Sequence, residues 1–203
     1  MSDSKKIHIV FLKKRIESFG NEEILNEKGK IIGTIIISFL KLNKYFKIQD
    51  LNTKKIIAIE KKNNIMNTIY NLKDKNDDLI ATIRKNRFSK YPSKIWYKSK
   101  TNEFYAYGDF RRYIYNIFNL NDHIIAKVNK IEKVENIPKK IQKSPQSYYC
   151  LNFNSSYLEK ILIIAFVICI NILNNPSLGI SDLMSFERKI ARMRPFGPGK
   201  NLN

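Results

Sequence analysis

Glu159-Lys160-Ile161-Leu162-Ile163-Ile164-Ala165-Phe166-Val167-Ile168-Cys169-Ile170-Asn171-Ile172-Leu173 is the stretch on which the fold turns. Wound as a helix over about residues 158–173, it is apolar around nearly its whole circumference, and such a helix needs burial on every side. Its β-branched residues would also suit an interior strand, but the stretch outruns ordinary strand length, which favours the helix. The uninterrupted apolar run from Ile161 to Ile170 falls short of the roughly 20 residues that cross a bilayer, so no transmembrane span is expected. A barrel lumen would supply the burial.

Upstream, short β-branched and aromatic runs alternate with polar turn clusters at nearly regular intervals, the pattern of antiparallel hairpins. Tyr45 to Asp50 turns through Asn52-Thr53-Lys54 into Ile56-Ile57-Ala58-Ile59-Glu60-Lys61. Ile69 to Asp74 turns into Leu79-Ile80-Ala81-Thr82-Ile83-Arg84-Lys85, and Ile114 to Asn119 into Ile124-Ile125-Ala126-Lys127-Val128-Asn129-Lys130. Weaker copies run from Ile24 through Gly29 to Ile37 and from Lys94 through Asn102 to Gly108, and a lone strand follows at Ser147 to Phe153. The turns are rich in Asn, Asp and Gly, which tolerate left-handed backbone. In the arms, Phe46, Ile48 and Asp50 alternate with Tyr45, Lys47 and Gln49, so one face is buried and one is wet. Closing such a meander removes its exposed edges. The expected fold is therefore mainly β: a closed antiparallel barrel around the C-terminal hydrophobic helix.

With 203 residues, 43% of them hydrophobic, the chain can bury one core. Residues 1–6 read as an N-terminal tail, 7–174 as the barrel domain, and 175–203 as a C-terminal extension. The tail leads into no signal-like or transit-like segment, so the expected location is cytoplasmic, with peripheral attachment to a membrane as one reading. Thirty-seven Lys and Arg against 18 Asp and Glu give a formal charge of +19. That excess favours anionic phospholipid, an acidic protein or nucleic acid, although an AT-rich genome would also raise the lysine content.

Glu135 to Pro145 lacks periodicity and reads as a solvated loop whose Lys139, Lys140 and Lys143 are candidate anion or lipid-headgroup ligands. Leu183, Phe186, Ile190 and Met193 fall at helical spacing, so residues 181–194 read as a basic amphipathic helix carrying Arg188, Lys189, Arg192 and Arg194. It would suit a membrane interface, a partner groove or the open end of the barrel.

The ordered series of strand-turn-strand units ending in Ile57-Ala58, Ile80-Ala81 and Ile125-Ala126, the step Tyr107-Gly108-Asp109-Phe110, and the helix from Glu159 to Leu173 resemble the tubby-like superfamily. The nearest group is the LURP-one-related one, and phospholipid scramblases are further members. The resemblance covers about residues 7 to 174. It implies a barrel of about twelve strands around a central helix, and lipid or partner binding without enzymatic turnover. Scramblases carry an acidic calcium-binding segment before the helix. Here Asn152 to Leu158 holds no carboxylate, so the scramblase-like alternative is one without the calcium motif.

For chemistry the inventory is thin. His8 and His123 are the only histidines, and Cys150 and Cys169 the only cysteines, with nothing in the sequence to bring a histidine to a thiol. Asp74, Asp77 and Asp78 match no complete calcium loop, and phosphate-binding glycine loops are missing. No catalytic residue, metal site or cofactor is therefore expected, and the oligomeric state is not readable. For the rival reading, a subunit of a nucleic-acid or ribonucleoprotein assembly, the candidates are Arg111, Arg112 and Tyr113, set among Tyr105, Tyr107, Phe110 and Tyr115.

Overall fold

The computed structural model describes residues 7–14, 21–38, 45–63, 67–86, 94–131, 137–154 and 159–174. Twelve antiparallel strands follow the chain as β1 (Ile7–Lys13), β2 (Asn21–Asn26), β3 (Ile31–Ser38), β4 (Tyr45–Asp50), β5 (Ile56–Asn63), β6 (Asn67–Lys73), β7 (Leu79–Asn86), β8 (Ile95–Ser99), β9 (Glu103–Asp109), β10 (Ile114–Asn119), β11 (Ile124–Lys130) and β12 (Tyr148–Asn154). Each strand pairs with its sequence neighbour, and β1 with β12, so the sheet closes into a barrel. A short helix α1 (Lys139–Gln142) lies between β11 and β12, and α2 (Lys160–Asn174) follows β12.

The five hairpins expected from turn chemistry are all present, and three share one device. Asn26, Asp74 and Asn119 each accept, at Oδ1, the backbone N–H groups two and four residues on, at 2.8–3.0 Å. The residue three positions on, Gly29, Asp77 or Asp122, takes a left-handed φ of 75, 70 or 58°. Asx side chains that cap their own turn favour this geometry. In the same three hairpins the return strand then bulges, with Ile32, Ile80 and Ile125 left over between paired residues. That extra residue sets Gly33, Ala81 and Ala126 opposite the inward Ile24, Leu72 and Ile117. The β4–β5 hairpin has no such shift, so Ile57 points inward and Ala58 pairs with outward Lys47. The repeated Ile-Ala pairs of the sequence thus serve two geometries.

The lumen is filled by α2. Every residue from Ile161 to Asn171 is buried, and Phe166 meets the rings of Tyr97 and Phe104 edge-on at 5.9 and 5.1 Å. Each fully buried aliphatic side chain of this helix contributes roughly 1.5–3 kcal/mol relative to leaving it in water. At its first turn Glu159 pairs with Lys55 of the β4–β5 turn at 2.6 Å, a carboxylate beside a helix N-terminus. At its last turn Asn174 accepts from Lys85 of β7 at 2.8 Å. The helix therefore enters at the end of the barrel that holds the β4–β5 turn and runs to the end that holds the β9–β10 turn.

The lone strand of the sequence, β12, pairs with β1 and β11. One sequence reading changes. The segment read as a solvated loop is a strap whose Ile141 is 0% exposed. Residues 1–6 and 175–203, including the expected amphipathic helix, lie outside the described residues.

Candidate binding surface

Among the described residues, α2 occupies the lumen. A cavity beside Ile24, Ile32, Ile161 and Ile164 measures about 10 Å³, about one water molecule. At the far end of the lumen Tyr113 and Asn171 are hydrogen-bonded, whereas the buried hydroxyl of Tyr149, whose ring stacks on Tyr113, has no hydrogen-bond partner among the described residues. The Tyr113 hydroxyl donates to Asn171 Oδ1 at 3.0 Å, and Asn171 Nδ2 donates to the Lys14 carbonyl at 2.9 Å. Burial pushes Tyr97 up to about 12 and raises Tyr115 and Tyr149 further, so all three stay neutral at physiological pH.

Neither cysteine meets a histidine among the described residues. Cys169 lies in the core with its thiol raised by burial, and Cys150, pushed up to about 11, faces Asn152. His8 belongs to β1 and stacks on Phe153 at 5.4 Å, and His123 is exposed at a turn. No group of three potential metal ligands occurs among the described residues.

The outer wall differs from one side to the other. Over β12, β1 and β2 the outward positions carry Tyr148, Cys150, Phe11 and Leu25, and Ile131, just past β11, and Ile141 of the strap pack with them. Lys140 of the strap is ion-paired with Glu23, whereas Lys139 and Lys143 are exposed. The three lysines singled out in the sequence thus sit on a docked segment, one of them engaged.

Over β7 to β11 the outward register positions form a row: Arg84 pairs with Trp96, Trp96 with Tyr105, Tyr105 with Phe118, and Phe118 with Ile124. The Trp96 and Tyr105 rings are 5.1 Å apart, and those of Tyr105 and Phe118 5.3 Å. Lys94 Nζ stands 3.9 Å over the Tyr105 ring and 5.7 Å from that of Trp96, a cation–π geometry. Tyr107, Ile114 and Ile124 remain exposed beside it. The acids of this face are engaged: Asp122 by the Tyr105 hydroxyl, Glu103 by Lys98 at 3.1 Å, and Asp109 by Arg112 at 3.5 Å. Arg84, Lys127 and Arg111 have no carboxylate partner among the described residues.

Of the trio proposed for nucleic acid, Arg111 and Arg112 are exposed on the β9–β10 turn. Tyr113 is turned inward, stacked on Tyr149 at 4.9 Å, and its ring does not face a ligand in solvent. Arg188, Lys189, Arg192 and Arg194 lie outside the described residues. Reading of the sequence passed over Arg84, Lys94, Trp96, Phe118 and Lys127. Their signal was aromatic and cationic residues at outward positions of the alternation, where small polar residues are expected.

The family model for LURP-one-related proteins matches residues 8–171, all twelve strands but for the first residue of β1, and most of the helix. The chain belongs to the LURP-one-related family. Members of the LURP-one-related family are generally non-enzymatic. A protein of Arabidopsis thaliana with an X-ray structure is similar in fold, with a TM-score of 0.56 over 84% of this chain and 93% of that one. At 11% identity that likeness concerns the fold alone. No curated protein matches the sequence. No helix among the described residues is long and apolar enough to cross a membrane.

Proposed function

We propose that this LURP-one-related domain is a non-enzymatic module that binds anionic membrane lipid or an acidic protein partner through its basic exterior. One observation carries the reading: α2 fills the lumen, so the outer wall is the surface available for recognition. On that wall Arg84, Lys127 and Arg111 stand without acidic partners among the described residues, and a net charge of +19 adds long-range attraction to anions. Lys139, Lys140 and Lys143 of the strap, together with Arg188, Lys189, Arg192 and Arg194, belong to the same basic complement.

Co-sedimentation of the full chain with vesicles tests it. The expected result is capture by phosphatidylserine-containing vesicles at low salt and release at high salt. Equal capture by neutral vesicles would defeat the membrane version. A salt-dependent gel shift with generic RNA, in the absence of vesicle capture, would favour the nucleic-acid alternative.

A further inference from the structure

The strap over β12, β1 and β2 shows how this chain treats apolar residues on the outside of its barrel: it covers them. Further round the barrel, the row Trp96, Tyr105, Phe118 and Ile124 lacks any such cover among the described residues, and Ile124 is 46% exposed. Exposed apolar and aromatic residues gathered on one face mark an interaction surface.

We propose that the outer face of β7 to β11 docks on an anionic lipid bilayer, with Trp96, Tyr107 and Ile124 at headgroup depth and Arg84, Lys94 and Lys127 on lipid phosphates. The proposal rests on the basic-exterior reading above and assigns it a place. Three features select a bilayer over other anions. First, the face mixes aromatic rings with long basic side chains, the combination that settles at a membrane–water interface. Second, Glu103 and Asp109 are already ion-paired with Lys98 and Arg112, which lessens their repulsion of lipid phosphate. Third, the rings lean on one another. Tyr105 is only 7% exposed between Phe118, Trp96 and Lys94, so it offers no open face on which a nucleobase could stack. The row crosses five strands, about 19 Å at ~4.8 Å per strand, on a convex wall that suits a bilayer better than a peptide seeking a groove.

Trp96 is the only tryptophan, so its fluorescence reports on this face alone. The full chain would be titrated with phosphatidylcholine vesicles, with phosphatidylcholine–phosphatidylserine vesicles, and with the latter carrying brominated acyl chains. The expected result is a blue shift and brominated-lipid quenching of Trp96 on anionic vesicles only, with Arg84→Ala and Lys94→Ala each weakening binding about fivefold. Capture of the protein by anionic vesicles with Trp96 emission unchanged would overturn this face while leaving the basic-exterior reading intact. Absence of vesicle capture would overturn the membrane reading altogether. A Trp96 shift produced by polyglutamate or a single-stranded oligonucleotide, and not by vesicles, would replace the bilayer as occupant.

Discussion

Two walls of one barrel meet the same problem differently. Over β12, β1 and β2, Phe11, Leu25 and Cys150 face outward and the chain spends residues 137–147 covering them, with Ile141 fully buried as the central contact. Over β8 to β10, Trp96, Tyr105 and Phe118 also face outward, but here cross-strand ring contacts and Lys94 bind them into a stack, and solvent or a partner takes the place of a strap. The first arrangement is core built on the outside and should behave as core. The second should matter little for stability and much for binding.

The sharpest way to break this contrast is to truncate both walls. Ile141→Ala should cost about 2–5 kcal/mol, as for other fully buried aliphatics, read as a fall in the denaturant midpoint. Trp96→Ala should cost less, about 1–2 kcal/mol, because the indole is only partly buried and its ring contacts are worth about 1 kcal/mol. Equal losses would erase the distinction. The strap variant should also speed reaction of Cys150 with a thiol reagent. In the intact protein Cys150 is pushed up to about 11 by burial, so it stays protonated at pH 8 and reacts slowly. Since its folded value lies above that of a free thiol, its contribution to stability is complete below about pH 8.5 and is lost as pH rises toward 11.

A smaller effect sharpens the same comparison at the edge of the strap. The left-handed station of the shared turn is Asp77 in one hairpin and Asp122 in another, so that backbone accepts a side chain there. Gly29 differs because a Cβ on it would lie 2.8 Å from Pro138 Cβ, just before α1. Gly29→Asp should therefore destabilise by about 1–3 kcal/mol through displacement of the strap, whereas Asp77→Gly should change stability by about 0.5 kcal/mol or less, checked by thermal melts. Smallest of all is Lys140→Ala. Its pair with Glu23 is about half-exposed, and such pairs are worth about 0–1 kcal/mol, less in high salt.

The covered wall was also the harder one to read. Hairpins β2 to β11 were legible because Asn, Asp and Gly mark their turns and alternation marks their faces. In β1 alternation fails, since Ile9 and Phe11 are apolar on the outside as well as Val10 and Leu12 on the inside, and only the distant strap explains why. The strap itself reads as lysine-rich solvent loop because its few anchors, Ile137, Pro138 and Ile141, are outnumbered by polar residues. Bulges at Ile32, Ile80 and Ile125 go with the Asx-capped turns and the left-handed residue three positions on, so the repeated Ile-Ala pair by itself could not disclose which hairpins bulge. Tyr113 shows the same limit. Between two arginines it looks like a surface ring, yet its left-handed φ of 56° turns it into the lumen against Asn171.

Charge reversal on the two walls tests the account most directly, because both carry exposed cations and only one carries the aromatic row. Arg84→Glu with Lys94→Glu, compared with Lys139→Glu with Lys143→Glu, removes the same formal charge from each side, and binding to phosphatidylserine-containing vesicles is measured by co-sedimentation. The account predicts a loss of more than about tenfold for the first pair and less than about threefold for the second. Equal losses, or a larger loss for the strap pair, would contradict it.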